Sequence, residues 1–161
     1  MAADIFIKLG DIEGDAVDKT HGGEIRVLSW GWGLTQSGTM HDSSGGGAGR
    51  VSVQDISFTK AVDRASPNLI KFCCNGRTFP TATLTVRKAG SDEPLEYLVL
   101  ELENIIISSV SLGGSPGEES LTENVSINFA KFKYIYTPQM DDGSGDAEIE
   151  AGYDVRTNET A

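Results

Sequence analysis

Residues 121–138, LTENVSINFAKFKYIYTP, constrain the fold more than any other part of the chain. Up to Phe129 the large apolar residues fall on odd positions: Leu121, Val125, Ile127 and Phe129. From Phe132 they fall on even ones, Phe132, Tyr134 and Tyr136, with Lys131 and Lys133 between them. Side chains alternate across a strand, so the buried face of an extended segment changes sides near Ala130. As one strand it would run roughly 50 Å at about 3.3 Å per residue. That length calls for a bend or bulge and allows membership of two sheets of a closing barrel, each half facing its own apolar surface. Two strands kinked at Ala130 give nearly the same pattern. Either way the two lysines point away from the core, toward water, another subunit or a lumen.

The rest of the chain is mostly strand-like. Residues 3–9 alternate, with Ile5, Ile7 and Leu9 on one face. Residues 25–34, IRVLSWGWGL, read as one strand apolar on both faces, with Leu28, Trp30, Trp32 and Leu34 on one side. Further strands are expected at residues 51–60, 78–88, 95–103, 105–112 and 149–155. Turn signals such as AGSDEP and LGGSPGEE separate them, which points to a sandwich or barrel. One helix is expected in RASPNLIKFCCNGR, about residues 66–75. Ser66 is a candidate N-cap, Pro67 suits the first turn and Gly76 a terminator, with a stripe of Leu69, Ile70, Cys73 and Cys74. Adjacent cysteines cannot build a disulfide framework and read as two small buried thiols in a reducing compartment.

At 161 residues the chain suits one domain, 1–161. Residues 35–50 form a glycine- and serine-rich loop far longer than the usual 4–6 residues. It reads either as a disordered tip or as an arm that orders against a neighbouring subunit. Residues 139–147 read as a polar tail loop. The net charge is −11, and from Asp141 onward seven acidic residues meet one basic residue. No basic stripe exists to neutralise phosphates, which argues against nucleic acid as partner. No run reaches the 18 or so apolar residues of a membrane span, and the first residues lack a signal-peptide pattern. The expectation is a chain made soluble in the cytoplasm, without membrane insertion.

Catalytic readings fare badly. His21 and His41 are the only histidines, and neither has a partner at zinc-ligand spacing. His41, Asp42 and Ser43 are neighbours in a glycine loop, whereas a triad is assembled from distant segments. GGGAGR lacks the Lys-Ser or Lys-Thr of a phosphate-binding loop. No carboxylate pair sits in an apolar setting that would raise a pKa. No enzyme, metal or cofactor is expected. Trp30 and Trp32 could stack on a sugar ring in a freestanding binding module, or could fill a core beside Leu28 and Leu34.

Taken together, the stretches MAADIFIKLGDIEGDAVDKTHGGEIRVLSWGWG, GGGAGRVSVQDISFTKAVDRASPNL, LTVRKAG, LEYLVLELENIIISSVS and LTENVSINFAKFKYIYTPQ resemble the haemolysin-coregulated protein family. Its members are tube subunits of the bacterial type VI secretion system. The resemblance spans essentially the whole chain, in order. It implies a mainly β fold: a closed or nearly closed barrel of two sheets, with one short helix on its flank and a long extended loop. It also implies a homohexameric ring, stacked with others into a tube that is ejected by a contractile sheath behind a tip spike. The tube carries effectors in its lumen, leaving the cell without a cleaved signal peptide. The extended loop would meet the next ring through Thr39, Met40, His41 and Arg50, and the turn at Gly90 and the tail around Arg156 would meet across stacked rings. Relatives often carry serine between the tryptophans, at a position that faces the pore; here it is Gly31.

Overall fold

The computed structural model describes residues 2–41, 49–90 and 92–161. In chain order the elements are β1 (Ala3–Leu9), β2 (Ile25–Val27), β3 (Ser29–Gly31), β4 (Leu34–Gln36), β5 (Val51–Val53) and β6 (Ile56–Ala61). Then come α1 (Ser66–Asn75), β7 (Thr78–Lys88), β8 (Leu98–Gly113), β9 (Thr122–Tyr136), β10 (Ile149–Asp154) and β11 (Glu159–Thr160). Nine strands share one sheet, ordered β11-β10-β9-β8-β7-β1-β2, with β6 paired to β9 and β3 to β6. β4 and β5 form a separate two-stranded arm. Among the described residues no ladder closes the large sheet; the chain does. β2 pairs with β1 and leads through Leu28 into β3, which pairs with β6. At the changeover the Leu28 N–H donates to Thr59 O at 2.7 Å. The architecture is thus a nearly closed, mainly β barrel with α1 on its flank.

The phase change in β9 is present, but it does not separate two apolar surfaces. β9 is a single strand of 15 residues. Val125, Ile127 and Phe129 from its first half and Phe132 from its second belong to one core cluster. Three neighbouring strands change phase together. β8 buries Leu98, Leu100 and Leu102, then Ile105 and Ile107; β7 buries Phe79, then Ala82, Leu84 and Val86. The ladders pair Phe79 with Ile105 and Ile105 with Phe129, then Thr81 with Glu103 and Glu103 with Lys131, skipping Pro80, Asn104 and Ala130. Each strand carries the same extra residue, so register survives the crease. Asn104 sits at φ 56°, in the left-handed region that asparagine tolerates better than most residues. The sheet bends along this line and wraps a single interior. Residues 95–103 and 105–112 are therefore one strand, because Asn104 breaks the alternation without ending the ladder.

Residues 25–34 depart from expectation in the opposite sense. They form β2, β3 and the start of β4, because each piece pairs with a different neighbour: β1, β6 and β5. Leu28 and Leu34 are exposed, and only Ile25 and Val27 are fully in the core. Trp30 and Trp32 are half-buried against it.

α1 buries Leu69 and lays Phe72 and Cys73 on the core, with Phe72 edge-on to Phe79 at 5.6 Å. Ile70 and Cys74 face outward, so the apolar stripe runs Leu69, Phe72, Cys73, and only Cys73 is half-covered. Ser66 does not cap the helix. Ala65 holds that position, and the Ser66 hydroxyl is engaged below the helix. Gly76 ends the helix at φ 68°, its N–H donating to Phe72 O, a left-handed cap that glycine adopts without a Cβ clash.

Candidate functional site

The outer side of the sheet carries different chemistry on either side of the crease. On β3, β6, β9 and β8, cross-strand pairing lines up two rows, Gly31–Ser57–Ser126–Ser109 and Ser29–Thr59–Asn124–Ser111. None of the eight residues is ionisable. Ser57 and Ser126 share a hydrogen bond of 2.9 Å, and Thr59 Oγ1 donates to Asn124 Oδ1 at 2.6 Å. A Cβ added at Gly31 would meet nothing within 4 Å, so this position opens onto free space. Beyond the crease the rows are Thr83–Glu101–Lys133 and Thr81–Glu103–Lys131. There Lys131 lies 3.6 Å from Glu103 and Lys133 3.3 Å from Glu150.

β9 changes partner on its other edge at the same level: residues 122–127 pair with β6 and residues 131–136 with β10. Aromatic rings fill the notch. Trp32 lies edge-on to Phe132 at 4.8 Å and 6.2 Å from Phe129, and its Nε1–H donates to Gln54 O at 3.0 Å. Both tryptophans thus serve the interior, and Trp32 is committed on its ring and its N–H.

The arm β4–β5 leaves from this notch. Its legs are pinned by Ser37, whose hydroxyl accepts the Arg50 N–H at 3.1 Å. Gly49 lies so close to this leg that a Cβ there would collide with Ser37 Oγ and Gly38 N. Thr39, Met40 and His41 are exposed, Met40 at 86%, and Thr39 Oγ1 accepts the His41 N–H at 3.2 Å. Asp42 and Ser43 lie outside the described residues. Arg50 lines one cleft with Gln36, Val51, Tyr153 and Asn158, which brings the arm against the β10–β11 hairpin. Arg156, in the turn of that hairpin, is exposed, its backbone N–H bonded to Asp154 Oδ1 at 2.9 Å. Gly90 is elsewhere, exposed at φ 89° in the turn after β7, at the end where Ala89 N–H donates to Ala2 O. The structure thus brings Arg50 against the hairpin that carries Arg156, without placing the two arginines in contact, and leaves Gly90 apart.

Two buried polar clusters were not singled out from sequence. Lys60 and Glu123, cross-strand partners and both 0% exposed, form an ion pair inside the barrel; Lys60 also reaches Asp63 Oδ1 at 2.8 Å and Ser66 Oγ at 3.1 Å. Glu123 Oε2 has no hydrogen-bond partner among the described residues. A carboxylate does therefore sit in an apolar setting, though paired. The second cluster lies under the loop of residues 11–24. Arg87 Nη1 donates to Asp18 Oδ2 at 3.0 Å, and this bond holds the Asp18 carboxyl well below the usual carboxylate range. Burial pulls the His21 pKa down, but hydrogen bonds to Glu96 and Glu24 outweigh it and raise it above 6.5. Among the described residues no group of three or more His, Cys, Asp or Glu side chains is arranged to hold a metal ion. No helix among them is long and apolar enough to cross a membrane.

A family model described as "Type VI secretion system effector, Hcp" matches residues 6–136. The chain belongs to the Hcp family of the type VI secretion system. It is 51% identical over 159 residues to protein hcp1 of Pseudomonas aeruginosa, covering 98% of each chain. Among solved structures, Hcp1 from Salmonella typhimurium is similar at a TM-score of 0.82, with 41% identity and full coverage of both chains. Another, a type six secretion system protein, is similar at 0.93 with 26% identity, over 99% of this chain and 100% of that one. The mainly β, barrel-like fold with one helix is that of these Hcp proteins.

Proposed function

We propose that this Hcp-family chain is the inner-tube subunit of a type VI secretion apparatus, structural and not enzymatic. Six copies close into a ring and rings stack into a tube. A contractile sheath ejects the tube behind a tip spike, with effectors held in the lumen. One observation carries this reading: a single copy leaves large apolar side chains uncovered on its arm and strand ends. Met40, Leu112 (57% exposed), Leu28 (54%) and Leu121 are among them. Contact with a neighbouring copy would cover these side chains, and a head-to-tail contact whose rotation closes makes a ring. The uncharged rows that include Gly31 suit a lumen wall, and the grouping of Arg50 with the Arg156 hairpin suits contact with a stacked ring.

Native mass measurement and negative-stain imaging test the proposal. A particle near six times 17.2 kDa, seen as rings or tubes, is expected. A folded chain that stays at 17.2 kDa at high concentration overturns it. Arg50→Glu and Arg156→Glu should shorten or abolish tubes while single rings persist; tubes of unchanged length reject those two residues as stacking contacts.

A further inference from the structure

Phe6 points away from the core by its place in the alternation of β1, yet it is fully buried. Its cover is the loop of residues 11–24, and His21 fastens that cover. The imidazole stacks on Phe6 with centroids 4.8 Å apart and 12° between planes. Each ring nitrogen meets its own carboxylate: Nδ1 lies 2.7 Å from Glu24 Oε2, and Nε2 lies 2.6 Å from Glu96 Oε1. An ionised carboxylate only accepts, so both contacts need a ring N–H, and only the imidazolium has two. A neutral ring would turn a lone pair toward one of the carboxylates. Glu24 ends the loop, whereas Glu96 lies 75 positions from His21 in the stretch leading into β8. The charged ring therefore ties two separate segments together.

The surrounding charges sharpen the dependence. Asp18 comes from the loop itself, Asp4 from β1, Arg87 from β7 and Arg26 from β2. Arg87 bonds Asp18 and Asp4, and the guanidiniums of Arg87 and Arg26 lie 4.9 Å and 5.7 Å from the Phe6 ring centre. With Glu24 and Glu96 this makes four carboxylates, against three cations only while His21 is charged.

We propose that His21 is a proton-operated latch: charged, it clamps the 11–24 loop to the segment before β8; neutral, it lets go of one carboxylate, and the loop, still tied by Arg87–Asp18 and Arg64–Asp15, loosens over Phe6. The bound ring keeps its proton above 6.5, so the hold is complete below that pH and is lost as pH rises through the titration of His21 itself. The latch is a property of the single chain and does not depend on ring formation.

The test is a titration of the purified chain by NMR, following the imidazole protons and the backbone signals of residues 11–24, from about pH 6 to about pH 9. Thermal unfolding is followed over the same range. His21→Gln assigns the His21 signals against those of His41. The expected results are a His21 midpoint above 6.5 and loop signals that shift with the same midpoint. The gap in unfolding temperature between the parent and His21→Gln should also narrow as pH rises through it. Glu96→Gln, whose amide can also donate to an unprotonated ring nitrogen, should move the midpoint down and keep the loop closed at higher pH. A midpoint at or below 6.5, a temperature gap that does not change with pH, or a midpoint unmoved by Glu96→Gln overturns the latch.

Discussion

Lys60 and Glu123 are fully buried charges in a chain whose other charged side chains mostly face water. Their contribution lies in being paired. Removing one partner from a buried ion pair costs about 3–5 kcal/mol, because the other charge is stranded, while replacing both with apolar groups of similar volume is close to neutral. Lys60→Met should therefore lower stability by about that amount in urea unfolding at fixed protein concentration, and adding Glu123→Leu should restore most of it. If the single and double variants unfold alike, the pair is not what holds this end of the barrel. The signal was in the sequence: Lys60 is in phase with Ile56 and Phe58, and Glu123 with Val125 and Ile127. Alternation alone could not say that the two face each other, since their pairing spans 63 positions. His21 left no comparable trace, because its two carboxylates come from loops without periodicity.

The crease is the structural element that accounts for the phase change of β9. In the sequence only β9 displayed it clearly; in β8 the same change looked like a gap between two strands, and in β7 it passed unnoticed. Periodicity records which residues are inside but not that three strands shift along one line. Asn104 is its backbone anchor, so substitutions there should follow φ preference, not size. Asn104→Gly should be tolerated, whereas Asn104→Val should cost about 1–3 kcal/mol, the usual range for a strained left-handed residue. Equal denaturation midpoints for the two variants would show that the crease does not rely on this conformation. The strand from residue 25 to 34 misled for a related reason. Its two apolar faces suggested cover on both sides, whereas the chain changes partners twice within ten residues and leaves Leu28 and Leu34 uncovered.

At the scale of the whole molecule, the barrel, the single helix and the long loop were legible. The two uncharged rows around Gly31 were not, because they emerge only once four strands are set in register; Asp55, which accepts from Ser108 and Asn128, lies on the same side of the crease. Gly31 lies in an uncharged row with open space above it. Gly31→Trp should leave stability within about 0.5 kcal/mol of the parent, as expected for a surface change, and leave ring formation intact while altering which effectors co-purify; an unchanged effector set removes Gly31 from the lumen assignment. The notch in β9 has a different consequence. The arm and the last hairpin lie beside residues 128–130 of β9, which among the described residues pair with no strand along that edge. Residues added to the turn between β4 and β5 or to the turn between β10 and β11 leave the flanking ladders in register, and each doubling of a loop costs only about 0.6 kcal/mol. Related chains are thus free to diverge in reach, and with it in the spacing of whatever they touch, while inheriting the same interior unaltered.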